Sequence, residues 1–226
     1  MLRVVMNLFF KEFVKTRLGM ALLLAGNMLF MGWLWLSVRR LFLQDHPEIV
    51  WYRVMDLGQI PYAPLTFLPL ISGVVFCCFQ FLPEMRDARL RIALHLPCDM
   101  ALLILAHLFY GLLFLTLLFG LDALALAAIC RVGFPLDMVQ MALLTAVPWF
   151  LAGLYAYLCM ACCLLEPQRK ARLLGGLIAM GVCPLLLGKV APGSLTPSLP
   201  YFLLGLPVLA VGLLLPALHY RHRRVE

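Results

Sequence analysis

Apolar residues in this chain run in long unbroken stretches, and polar residues gather in the short segments between them. Six stretches stand out, at about 18–38, 64–83, 99–121, 138–165, 173–188 and 201–218. A hydrocarbon layer about 30 Å thick needs roughly 20 helical residues to cross it, and most of these windows meet that length. The short alternating segments of a membrane barrel are absent, and lipid offers the edges of an open sheet no hydrogen-bond partner. The pattern therefore predicts an all-α polytopic membrane protein, with six transmembrane helices in a single domain over residues 1–226. The fifth stretch lies between Arg172 and Lys189 and contains Pro184, and the sixth carries Pro207 and Pro216, so both are predicted to kink or stop short. Between them, Pro192, Gly193, Ser194, Thr196, Pro197 and Ser198 predict a loop or a short re-entrant element.

Two segments outside the apolar windows have patterns of their own. Arg3, Asn7, Lys11 and Lys15 recur every fourth residue, with Leu2, Val5, Met6, Phe9, Phe10 and Phe13 filling the other faces. This predicts an amphipathic helix over residues 1–16, lying along the inner membrane surface, with Phe9, Lys11, Glu12 and Lys15 placed to contact a partner. The simpler alternative is a basic anchor for the first span. Between the second and third windows, Pro83 and Pro97 bracket a glycine-free run of good helix formers, which predicts a short cytosolic helix at about 84–95. Glu84 and Asp87 fall in its first turn and Arg86, Arg89 and Arg91 later, as the helix dipole favours, while Leu90, Ala93 and Leu94 share an apolar face. Asp99 is placed to cap the third span.

Composition sharpens the membrane reading. Of 226 residues, 64% are apolar and 13% charged, more apolar surface than one soluble core of this size can hide. Six spans with short loops use up the chain, so a nucleotide-hydrolysing module must lie on another polypeptide. A net charge of +7 in a soluble protein would point to nucleic acid; here its placement matters more, and no nucleic-acid partner is expected. Of the 18 Lys and Arg, all but Arg39, Arg40, Arg53, Arg131 and Lys189 fall on one side of a six-span topology. Because cytoplasmic loops retain Lys and Arg, both termini are predicted to be cytoplasmic. The first apolar run is too long for a cleavable signal and lacks a small-residue cleavage site, so it is read as an anchor.

The basic helix leading into the first span, six spans with both ends inside, and the charged 84–95 segment resemble the permease subunits of type-2 ABC exporters. Leu8-Phe9-Phe10-Lys11-Glu12-Phe13 with Arg17 is similar to that family's leading segment, and Glu84 with Arg89, Leu90, Leu96 and Pro97 is similar to its coupling segment. The resemblance implies a bilayer-embedded subunit that pairs with a second permease, identical or related. It also implies a separate ATPase in two copies, which would hold ATP and Mg2+ and grip the coupling helix through Glu84, Arg86, Asp87, Arg89, Leu90 and Leu94. No cofactor or catalytic residue is implied on this chain. The implied setting is a cell membrane, with a bacterial inner membrane suggested by the short loops. Since no charged residue lies in the middle of any apolar run, a transport path would be lined by apolar and aromatic side chains and suit an apolar or amphipathic substrate.

Gly181 and Gly188-Lys189-Val190 lack the spacing and the hydroxyl residue of a phosphate-cradling loop. Cys77, Cys78, Cys159, Cys162, Cys163 and Cys183 lie in apolar runs and read as small packing residues; Cys159, Cys162 and Cys163 could hold a soft metal but have no second ligand pair, so no metal site is predicted. His107 with Tyr110, within the third span, is either a point on a substrate path or an imidazole satisfied by a carbonyl or tyrosine nearby. Asp45, His46, Glu48, Arg53 and Asp56 cluster between spans one and two, beside the interfacial Trp51 and Tyr52, and Asp122 and Asp137 flank Arg131 as expected loop charges. Two rival functions stay open. One is a lipid-acting membrane enzyme using outer acids or His107; the other is a non-transporting assembly factor.

Overall fold

The computed structural model describes residues 2–85, 100–166, 168–188 and 195–215. Arg86, Asp87, Arg89, Leu90 and Leu94 of the predicted coupling helix lie outside the described residues. The described chain is helical and contains no strand. Helix α1 spans Leu2–Gln44 and α2 spans Pro47–Met55; a 3-10 helix at Ala63–Phe67 leads into α3, Leu68–Met85. Then come α4, Met100–Arg131, α5, Leu136–Leu165, α6, Arg169–Leu187, and, after a 3-10 turn at Thr196–Ser198, α7, Leu199–Gly212. Four segments are long and apolar enough to cross a membrane: Met6–Gln44, Ala63–Met85, Ala101–Arg131 and Leu136–Leu165. Gly175–Leu187 and Thr196–Gly212 are apolar but shorter, as the prolines Pro184 and Pro207 inside them would have it.

Three boundaries differ from those read in the sequence, each for a local reason. The surface helix and the first span form one continuous helix, because residues 12–18 contain neither proline nor glycine to interrupt it. Gly19 is no break either: its bare Cα face lies against the Phe79 ring, where a Cβ would collide. Helix α3 continues through Pro83 to Met85, so Glu84 belongs to its last turn and not to a separate cytosolic helix. Helix α4 runs past residue 121 as far as Arg131, which turns Asp122 from a loop residue into a helix-interior one.

Helix α5 is the hub, packing on α3, α4, α6 and α7, while α1 leans on α3 and α4. Its buried face carries Ala142, Ala146, Ala152, Gly153, Ala156 and Ala161, small residues that let neighbouring backbones approach closely. Gly73 and Gly153 meet at the α3–α5 crossing, where a Cβ on Gly73 would overlap the Gly153 carbonyl oxygen. Three apolar cores result; the smallest joins Leu151, Tyr155, Cys183 and Leu186 between α5 and α6. Of the two larger, the first gathers Phe76, Phe81, Leu108, Leu115 and Tyr157; the second gathers Leu34, Leu65, Leu126, Phe134 and Trp149 towards the α2 end. Between them along the helices sit Asn27 and Ser72, joined by an amide-to-hydroxyl hydrogen bond of 3.1 Å. Leu18, Leu29, Leu117, Leu124, Leu177 and Leu204 point outward and are exposed, an apolar perimeter suited to lipid.

Candidate functional site

A buried polar cluster occupies the junction of α1, α3, α4 and α5, at the Lys11 end of the first core. Helical spacing assembles it. Glu12, Lys15 and Thr16 share one face of α1, Gln80 and Glu84 lie a turn apart on α3, and His107 and Tyr110 do the same on α4, with Tyr157 reaching in from α5. Glu12, Gln80, Glu84 and His107 are all at most 3% exposed. Buried charges persist only when paired, and these are. Lys15 Nζ lies 2.6 Å from Glu12 Oε1 and 3.1 Å from Glu84 Oε1, and Lys11 Nζ lies 2.9 Å from Glu84 Oε1. Two carboxylates thus face two ammonium groups.

Hydrogen bonds extend the cluster across four helices. Gln80 Nε2 donates to the His107 carbonyl oxygen at 2.8 Å and to Glu12 Oε2 at 3.2 Å, while the Tyr157 hydroxyl donates to Gln80 Oε1 at 2.8 Å. Thr16 donates to its own helix at Glu12 O, 2.8 Å away, and its Oγ1 is 3.1 Å from the Tyr110 hydroxyl. His107 Nδ1 lies 2.9 Å from the Leu103 carbonyl oxygen. A carbonyl oxygen only accepts, so Nδ1 carries the proton there. The other ring nitrogen, Nε2, faces Glu12 Oε1 at 3.2 Å. Chemically, the arrangement can bind a cation between carboxylates and imidazole, and it ties α1, α3 and α4 together at one end.

Several residues predicted from the sequence meet here in unexpected roles. Glu12 and Lys15 face the bundle interior, not an outside partner, because α1 packs against α3 and α4 along this face. Lys11 remains half exposed. Phe9 packs beside Phe109 and edge-on to Tyr110, with ring centroids 6.2 and 5.6 Å away. Glu84 is enclosed in the last turn of α3, in place of the solvated knob expected of it. His107 and Tyr110 belong to the same cluster as Glu12 and Thr16. Sequence reading missed Thr16, Gln80 and Tyr157 altogether. The four-residue spacing of Gln80 and Glu84 on an otherwise apolar helix was the available signal.

Asp122 is the second departure. It is fully buried within α4, between the two larger cores, and both carboxylate oxygens lack a hydrogen-bond partner. This overturns the expectation of a solvated loop charge and of apolar runs free of ionisable groups. At the α2 end, Arg53 Nη1 pairs with Asp45 Oδ2 at 2.7 Å and Trp51 Nε1 donates to the Gly133 carbonyl oxygen at 2.8 Å. These contacts clasp α2 to the bundle. The described cysteines are all free. Among the described residues, the group of His, Cys, Asp and Glu close enough to share an ion is Glu12, Glu84 and His107, and no thiol joins it. No family model, curated protein or solved structure matches this chain.

Proposed function

We propose that the chain is the transmembrane permease subunit of an ATP-driven exporter of the type-2 ABC kind. It moves an apolar or amphipathic substrate and works beside a second permease subunit. ATP and Mg2+ are held by a separate ATPase in two copies. The reading is carried by one observation: Lys11 and Lys15 of α1 both pair with Glu84 in the last turn of α3, immediately before the 86–97 segment. A pull on that segment would reach α1 through a paired charge and α4 through Gln80, so three apolar helices would move with it. Such differential contact between states is what a nucleotide-driven shift requires.

A lipid-acting enzyme built on His107 fits less well, since its imidazole is 1% exposed. Purification in mild detergent tests the exporter reading. The expected outcome is an ATPase at equal stoichiometry whose hydrolysis is stimulated by an amphipathic substrate, with stimulation lost in Arg89→Glu while membrane insertion is unchanged. Turnover of lipid without ATP by the isolated chain, or stimulation unaffected by Arg89→Glu, would overturn it.

A further inference from the structure

Glu12, Glu84 and His107 come from three different helices, and each offers one ligand atom to a common point, the atoms lying within 4.8 Å of one another. Glu84 Oε2 is buried without a hydrogen-bond partner, and His107 Nε2 has none besides Glu12 Oε1, 3.2 Å away. Buried polar groups are normally bonded, so an orphaned carboxylate oxygen in this cluster marks a missing partner. That oxygen is an acceptor. With Nδ1–H committed to the Leu103 carbonyl, Nε2 faces Glu12 and supplies a lone pair there whenever it carries no proton. An imidazole held by a carbonyl on its far nitrogen is the outer support that metal-bound histidines carry.

We propose that this junction is a divalent transition-metal site, alternating between the lysine-held state described above and a metal-held state. In the first state Lys11 and Lys15 neutralise the two carboxylates. In the second, one divalent ion balances the same two charges, takes neutral His107 as its nitrogen ligand, and releases both ammonium groups towards water. Lys11 is already 50% exposed, so its side is the route of entry. His107 Nε2 and Glu12 Oε1 stand 3.2 Å apart, close to the roughly 3.3 Å that separates two ligands on a tetrahedral ion with bonds of about 2.0–2.1 Å. One imidazole among carboxylates selects Zn2+ or a neighbouring first-row ion over Mg2+ or Ca2+, which take oxygen alone. The inference is independent of the exporter reading, because it concerns only the α1–α3–α4 junction.

Calorimetric titration of the full chain in mild detergent with Zn2+ tests it. One Zn2+ per chain is expected, undisturbed by excess Mg2+. Lys15→Ala removes the competing ammonium, so its Tm should fall without metal and recover with Zn2+, and its Zn2+ affinity should rise. His107→Gln should weaken binding at least about 10–100-fold. Should that variant fold poorly, Co2+ bound to the wild-type chain gives a visible spectrum that reports nitrogen coordination directly. No stoichiometric binding in either the wild type or Lys15→Ala, affinity unchanged in His107→Gln, a Co2+ spectrum without nitrogen coordination, or a Lys15→Ala Tm that responds to pH but not to metal would each overturn the proposal.

Discussion

Gln80 is the residue on which the most helices converge: its amide group donates to α1 and α4 and accepts from α5. Gln80→Leu would keep the volume and strand the Tyr157 hydroxyl and one Glu12 oxygen. Each orphaned buried group costs about 1–3 kcal/mol, so a clear fall in Tm in detergent is expected, larger than for Tyr157→Phe. Asp122 poses the opposite case. Its carboxyl group lies buried without a partner, so Asp122→Leu should raise stability by about 1–3 kcal/mol. A carboxyl retained against such a cost is a functional candidate within a membrane helix, and under the proposed exporter function the same variant should lose transport. An unchanged or lowered Tm would show that Asp122 has a stabilising role instead.

At the scale of elements, the decisive feature is that α1 is a single helix. With a rise of 1.5 Å per residue, spin labels at Phe10 and Arg40, both exposed, should lie about 45 Å apart along a straight helix. A surface helix bent from a separate span would give a markedly shorter distance in a pulsed dipolar measurement. Continuity also explains why Glu12 is buried. A helix that turned to follow the membrane surface would carry Glu12 and Lys15 away from Glu84. The amphipathic spacing of Lys11 and Lys15 was legible from the sequence, but it fits an outward basic stripe and an inward ion pair equally well. Only the position of α3 chooses between them.

For the whole molecule, α5 sits at the centre with α3, α4, α6 and α7 packed on it, and α1 lies against α3 and α4. The basic Lys11 end and the α2 end, with its Arg53–Asp45 pair, lie at opposite extremes of the bundle. Single thiols introduced at Met6 and Glu48 should therefore be labelled from opposite sides of a sealed vesicle. Labelling of both from one side would remove the basis for the coupling argument. The described helices comprise four that are long enough to span and two shorter apolar ones. The proline-interrupted α6 and α7 pack on α5, and Tyr155 pins α7 by donating to the Phe202 carbonyl oxygen at 2.8 Å.

The sequence by itself determined the helical, lipid-facing character of the chain, because long apolar runs have no other way to satisfy their backbone in hydrocarbon. It also placed α3, α5 and α6 to within a few residues, while α1 and α4 run well past the ends read from their polar flanks. It could not determine which polar residues face one another. Glu12, Gln80, Glu84 and His107 are far apart along the chain, and each alone resembles a surface charge or a tolerated polar residue. Packing of α1, α3, α4 and α5 brings them together. Burial then leaves each charge dependent on a partner from another helix, and that dependence exists only in the tertiary structure.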